Sequence, residues 1–598
     1  MSLGLKKPYE ELYPFNVKYI TNPTQAELRE MALKYTPAAL VSQKYGNIDK
    51  IARNKARMAK YTYVVDDEKN AHLYSHNVIS PDKAKKLIDK AHKYIEEQGV
   101  LIEIQGYYGL DPKYAVSVQL FYDLEGANVA GMQQILAFPR EMVETEEQLK
   151  KPFNPLFRLF YLPGLEVPEM PGKQAIIVDL ESYTTYVLRA DYFGESKKGI
   201  LRMLCDYVYQ KGGLVLHSGA KAVKVGDKEY TLAVLGLSGT GKTTTTFSKQ
   251  GDVTKPLQDD MVVLWPDGNM SITENGCFAK TFGLQKENEP VIYEGTINKD
   301  AWLENVYIDI DTGEYDFSKT TLSPKEVSKL KDLLIKTGAP EENVEKYIKG
   351  EVKLEEVVDE YGIPKDGWDF VVWTQNGRSV IPMSAIKDAG DLRNVPPIKF
   401  FGILNRDEGK DAATPGIVKF SSAEQAAGYF MLGETTKTSA AGKERGKTRS
   451  PFTQPFFPRH HRLQAIRFVE LLPKFPGMVL WMMNTGYVGG DALDEKEGRA
   501  LKVKIKHSSL MLEYMIRDKI VWKKDPDFGY FVVDVEHKDN SELVKLVPPE
   551  ILNPIILYEK QGRMDEYRAW VQKIKKEREE FLKKYDIPED IIKAVLNA

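Results

Sequence analysis

Apolar and polar positions along this chain change period several times, and each change predicts an element. From Thr231 to Leu235 an unbroken run, Thr-Leu-Ala-Val-Leu, predicts a buried strand. Shorter β-branched and aromatic runs at 61–65, 101–105, 115–122 and 175–179 predict further strands before it. Helical spacing opens after Thr24-Gln-Ala-Glu27, which has capping-box spacing, and after Ser80-Pro81, with proline in the first helical position. Residues 200–209 are amphipathic and stop at Lys211-Gly-Gly213, before a short apolar run that ends on His217.

Three later stretches stand apart. Residues 318–365 predict a self-contained helical insertion: Ser323-Pro-Lys-Glu326 is a capping box, and Val327, Leu330, Leu333 and Leu334 keep helical spacing until Gly338. From 432 to 457 the chain turns to Gly, Ser, Thr and basic residues with little apolar period. A linker and a mobile lid over a nucleotide are both readings of that composition. A Lys/Glu-rich tail, 559–598, carries Met564, Tyr567, Val571, Ile574 and Phe581 on one helical stripe.

Composition narrows the class. At 598 residues the chain has room for several domains. Its 83 Lys+Arg against 86 Asp+Glu give a net charge of −3, so nucleic acid is not an expected partner. Two cysteines, Cys205 and Cys277, exclude a disulfide framework and suit a reducing cytoplasm. No apolar run approaches the ~18 residues of a membrane span, so an intracellular, cytoplasmic protein is expected.

The chemistry centres on the residues immediately after the 231–235 strand. Gly236, Gly241, Lys242 and Thr243 satisfy the phosphate-loop pattern, with Leu237, Ser238, Gly239, Thr240 and Thr244 completing the nucleotide-binding stretch. Glycines let backbone N–H groups converge on phosphate oxygens. Lys242 supplies a mobile charge, and the Thr243 hydroxyl suits a Mg²⁺ ion. Asp259 and Asp260, beside the apolar run 261–265, suit metal work, one carboxylate binding directly and the other orienting water. Their order departs from the usual one, in which the apolar run comes first.

Taken in order, the blocks Tyr192-x-Gly-Glu-x-Lys197-Lys198, His217-Ser, Gly236-Leu-Ser-Gly-Thr-Gly-Lys242-Thr243, Asp259-Asp260, Glu274-x-Gly-Cys-Phe-Ala-Lys280, Leu303-Glu-Asn-Val, Lys443-Glu-Arg-Gly446 and Asn484-Thr-Gly486 resemble the phosphoenolpyruvate carboxykinase family, most closely its ATP-using branch. The resemblance implies an α/β, two-domain fold. An N-terminal substrate-binding domain would span 1–213. A C-terminal P-loop mononucleotide-binding domain with a mixed sheet would span 214–598. It implies decarboxylation of oxaloacetate and phosphorylation of the enolate by a nucleoside triphosphate, giving phosphoenolpyruvate and CO₂, with Mn²⁺ and Mg²⁺. By the same resemblance Lys197, His217 and Asp260 hold Mn²⁺. Lys242 and Thr243 take the phosphates and Mg²⁺, with Asp259 behind them, and Lys280 neutralises transferring charge. Arg57 meets the substrate carboxylate.

The family also places an arginine near the transferred phosphate; here the local match offers Lys419, and an alternative alignment offers Arg406. Arg445 matches the ATP branch near the base, whereas Pro451–Phe457 resembles the aromatic pocket of the GTP branch, so ATP, GTP and diphosphate remain open as donors. The insertion and the tail have no clear counterparts. Two other readings compete, a phosphate-loop kinase with a different acceptor and a nucleotide-binding regulator without catalysis. The expected assembly is a monomer or small homo-oligomer.

Overall fold

In a computed structural model the chain is described over residues 11–54, 59–236, 240–249, 254–360, 362–437 and 446–598. It is a mixed α/β protein with several sheets, and it divides into two compact units, 1–206 with 273–387 and 207–272 with 388–598.

The first unit carries a nine-stranded mixed sheet. Its path runs Lys18–Thr21, Val100–Tyr108, Val116–Tyr122, Phe157–Leu162, Thr184–Leu188, Ala175–Asp179, Thr62–Val65, Asn77–Ile79. The Thr24–Glu27 capping box forms and starts the helix Gln25–Tyr35, while Pro81 opens Pro81–Gln98. The apolar stripe of Pro81–Gln98, Ala84, Leu87, Ile88, Ala91 and Ile95, covers the sheet residues Leu101, Phe121 and Phe160. A second, five-stranded sheet explains why 273–387 belongs here. Gly276–Lys280, Arg378–Pro382 and Trp302–Glu304 pair in turn with Ile48–Lys50 and Ala39–Val41, so distant chain segments share one hydrogen-bonded ladder.

The 318–365 segment folds as helices Pro324–Lys336, Glu341–Ile348 and Leu354–Val357, the first with the Ser323–Glu326 capping box. Its apolar stripe, Val327, Leu330 and Leu334, closes a small core with Tyr307, Phe370 and Trp373.

In the second unit an eight-stranded sheet runs Thr254–Gln258, Ser218–Val225, Lys228–Leu235, Ile398–Asn405, Val479–Asn484, Ile417–Lys419, Phe531–Val533, Trp522–Lys524. Lys228–Leu235 contains the strand expected at 231–235, and it lies parallel to Ile398–Asn405, which lies parallel to Val479–Asn484. Central parallel strands are covered on both faces, and Leu232, Val234, Phe400, Trp481 and Met483 are buried accordingly. The tail stripe forms the helix Met564–Lys584, burying Tyr567, Val571 and Ile574 together with a charged side chain, Arg578.

Candidate active site

The phosphate-loop strand ends at Leu235, and the helix Lys242–Phe247 begins after Gly241, whose φ of 90° is left-handed backbone suited to glycine. Leu237, Ser238 and Gly239 lie outside the described residues. Thr240 is tied down by Thr485, whose hydroxyl donates to the Thr240 carbonyl at 2.8 Å. The two aspartates follow a strand after all: Thr254–Gln258 runs into Asp259 and Asp260, pairing with Ser218–Val225.

Lys242 and His217 converge on Asp260. His217 Nε2 lies 2.9 Å from Asp260 Oδ1, and Lys242 Nζ lies 3.1 Å from the same oxygen. The other imidazole nitrogen, Nδ1, sits 3.1 Å from the carbonyl of Phe452. A carbonyl only accepts, so Nδ1 carries the proton, and in a neutral ring Nε2 is then an acceptor facing a carboxylate. Burial pushes the His217 pKa down, the Lys242 charge adds to this, and Asp260 opposes it. Two acceptors aimed at one point ask for a cation, and imidazole with carboxylate is a donor set that suits Mn²⁺. Among the described residues no three His, Cys, Asp or Glu side chains form a group that could hold a metal ion. Phe452, Phe456 and Phe457 are buried; Phe456 stacks edge-on against His217 at 5.1 Å.

Next to the loop, a cavity of about 170 Å³ is lined by Thr240, Thr244, Met483, Val503, Ser508 and Leu512 among others. Among the described residues, the aromatic 451–457 segment contributes nothing to that lining. Arg445 lies outside the described residues. Arg406 follows the strand Ile398–Asn405 and pairs with Glu408 at 3.2 Å. Lys419 lies over the rings of Trp522 and Phe531, at 5.8 and 5.5 Å.

The first unit holds a second cluster. Lys197 and Lys198 sit in the opening turns of the helix Phe193–Gln210. The Phe193 N–H donates to both Glu304 oxygens, at 2.9 and 3.1 Å. Lys197 Nζ pairs with the buried Glu274 at 2.7 Å and lies 5.3 Å over Phe278. Lys198 pairs with Glu195, which also holds Arg202 at 3.3 Å. Lys280 stands directly across an antiparallel ladder from Arg378. Arg378 lies 5.4 Å from the centre of the Phe278 ring, and among the described residues its buried Nη1 has no hydrogen-bond partner. Lys197, Lys198 and Arg202 are answered by buried carboxylates, whereas the Arg378 guanidinium keeps a donor with which an anion could be met. Sequence reasoning missed Arg378; its signal was the Asn376-Gly-Arg378 turn into a strand, meaningful only once paired with Lys280. Arg57 lies outside the described residues, and nearby Arg53 is held by Glu125 at 3.0 Å.

Fold and site together define a mixed α/β protein bearing a phosphate-loop sequence beside a His–Asp pair that Lys242 joins. A family profile described as phosphoenolpyruvate carboxykinase matches residues 17–328 and 337–540, and the chain belongs to that family, in its ATP-using branch. A protein of Caldanaerobacter subterraneus subsp. tengcongensis named phosphoenolpyruvate carboxykinase (ATP) is 27% identical over 562 residues, covering 91% of each chain. Proteins of the same name from Geobacillus thermodenitrificans and Geobacillus kaustophilus are each 25% identical, spanning 97% and 88% of this chain and 94% and 85% of their own. No helix among the described residues is long and apolar enough to cross a membrane.

Proposed function

We infer that this chain converts oxaloacetate and ATP into phosphoenolpyruvate, CO₂ and ADP. The observation that carries the reading is the meeting of His217 and Lys242 at one oxygen of Asp260, beside the phosphate-loop helix, in a chain of this family. Cleavage of the C–C bond to the departing carboxylate leaves its electron pair as an enolate. The enolate oxygen attacks the γ-phosphorus, and ADP leaves. Mn²⁺ and Mg²⁺, when bound, supply Lewis-acid stabilisation of the enolate and of the phosphate charge.

The second unit is assigned to the nucleotide. Lys242 and Thr243 meet its phosphates, Asp260 and His217 offer the ion a carboxylate and an imidazole, and Asp259 orients from behind. The cavity lined by Val503, Ser508 and Leu512 has the position and apolar lining for the base. The first unit is assigned to the substrate anion, with Arg57 at its carboxylate.

Two roles shift from the residues first expected. Arg378, cross-strand from Lys280 and with an unspent donor, is assigned to the transferred phosphate in place of Lys419 or Arg406. For the lysine donor to Mn²⁺, Lys198 suits better than Lys197. A lysine ligand is neutral, and Glu195 keeps Arg202 as a cation when Lys198 turns to a metal. Lys197 is instead committed to the buried Glu274.

The test is CO₂ release and phosphoenolpyruvate formation from oxaloacetate with Mn²⁺ and Mg²⁺, supplying ATP, GTP or diphosphate separately, for wild type, Lys197→Ala and Lys198→Ala. Product with ATP that depends on the lysine pair is expected. A protein that binds ATP yet makes no phosphoenolpyruvate with any donor would mean a different acceptor.

A further inference from the structure

Behind the phosphate loop lies a buried lysine that neither the motif nor the mechanism uses. Lys221 is on the strand Ser218–Val225 and is fully buried, at 0% exposure. The strand passes beneath the helix Lys242–Phe247 on a face that Gly219 opens; a Cβ there would come within 2.1 Å of Thr246 Oγ1. Two residues along the same face, Lys221 reaches the far end of that helix. Its Nζ donates to the Thr245 carbonyl, and at 3.0 Å to the Ser248 carbonyl.

Those carbonyls belong to the helix end, where intrahelical partners run out. The helix has only six residues. Ser248 leaves it in extended conformation, ψ 150°, with its N–H already on the Thr244 carbonyl. So short a helix has little cooperativity of its own and takes its placement from what grips it. Burial pushes the Lys221 ammonium down to about 7. A buried charge is costly, and directing it at two main-chain carbonyls ties the helix end to the strand. A register irregularity between Ala220 and Lys221, against the strand Thr254–Gln258, sits at the same point, so the strand leading to Asp259 and Asp260 is adjusted there too.

We propose that Lys221 is a positioning residue of the phosphate loop: by clamping the Thr245 and Ser248 carbonyls to the sheet it fixes where Lys242 and Thr243 meet the nucleotide phosphates. This rests on the reading of that loop as the ATP site. The clamp acts on one substrate only, and that separates it from general support of the fold.

The experiment compares wild type, Lys221→Met, which keeps the aliphatic stem and loses the ammonium, and Lys221→Arg, which restores a cation with more reach. Steady-state KM for ATP and for oxaloacetate, kcat, and direct Mg-ATP binding by calorimetry are measured beside the melting temperature. Lys221→Met is expected to raise KM and Kd for ATP about tenfold or more, to leave KM for oxaloacetate unchanged, and to be largely rescued by Lys221→Arg. A folded Lys221→Met with unchanged ATP binding, or with both KM values raised alike, overturns the proposal. Where Lys221→Met does not fold, Lys221→Gln, neutral and shorter, carries the same comparison. Wild type that fails to bind Mg-ATP would overturn the ATP reading itself and this clamp with it. Wild-type binding matched by Lys221→Met removes only Lys221.

Discussion

His217 Nε2 stands 2.9 Å from Asp260 Oδ1, while its other ring nitrogen is fixed as a donor to the Phe452 carbonyl. With Nδ1 donating, the neutral ring turns an acceptor nitrogen toward the Asp260 carboxylate. Lys242 is also 3.1 Å from that oxygen, so on the proposed reading Asp260 would link the ion to the lysine assigned to the phosphates. Asp260→Asn keeps the shape and removes the charge. It is expected to lower kcat at least about a hundredfold and to weaken Mn²⁺ binding, read by titrating activity and Mn²⁺ paramagnetic resonance. Unchanged Mn²⁺ affinity in this variant would remove Asp260 from the ion site.

Arg378 and Lys280 face each other across one ladder, so their charges reinforce only if an anion lies with them. Arg378→Met is expected to lower kcat about 10²–10³-fold while ATP binding persists. Lys419→Met, which only uncovers the rings of Trp522 and Phe531, leaves kcat unchanged. Steady-state kinetics and ATP calorimetry on both variants decide between the two positions, and the reverse pattern would return the role to Lys419.

The tail helix Met564–Lys584 extends beyond the family-matched residues, yet it is bound by buried charge. Arg578 reaches Glu434 at 2.8 Å and the Tyr429 hydroxyl at 2.8 Å, and Arg449 holds Glu434 at 2.7 Å. Burial pushes the Glu434 carboxyl up, but the charges of Arg578, Arg449 and Lys447 override it and hold it far below its ordinary 4.5. A depressed carboxyl contributes stability that is complete above the unfolded value and is lost as pH falls through the folded one. Arg578→Met is expected to cost about 3–5 kcal/mol and to move acid unfolding to higher pH, followed by circular dichroism.

His461 supplies a second acid-sensitive point. It is buried between the rings of Phe457 and Tyr585 and accepts from Gln464 at 2.8 Å. Burial, then the neighbouring His460, push it from 6.5 down to about 3. The unfolded chain takes up this proton first, so stability is full above pH 6.5 and declines as pH falls toward 3. His461→Phe should abolish about 2–3 kcal/mol of the stability lost between about pH 7 and 4.5, measured by denaturant unfolding at each pH. A variant that loses as much as wild type over that range would place the sensitivity elsewhere.

Much of this protein was legible in order along the chain. The capping boxes at Thr24 and Ser323, the helical stripe from Tyr567 to Ile574 and the strand into Gly236 are local, set by backbone hydrogen bonding and periodic burial within a few residues. The phosphate-loop pattern is local in the same sense, glycine, lysine and threonine at fixed spacing, and of it the structure describes the strand Lys228–Leu235 and the helix Lys242–Phe247. The helix start at Phe193 was not legible, because Gly194 and Gly199 are poor helix formers and the amphipathic period is clear only from 200. In the fold Gly199 lets the helix sit against the sheet, where a Cβ would come within 2.7 Å of Leu159.

Tertiary structure decided what depends on separated segments sharing a ladder or a charge. Arg378 became a candidate only by pairing across from Lys280, and 273–387 joined the first unit only because its strands complete a sheet with Ile48–Lys50. Lys221 reads in sequence as one more polar residue near a strand; folding buries its ammonium against Thr245 and Ser248. The tail's Arg578 likewise waited for Glu434. Local propensity fixes which residues form an element, whereas the partner of a buried charge is set by packing between elements, and no spacing along the chain encodes that.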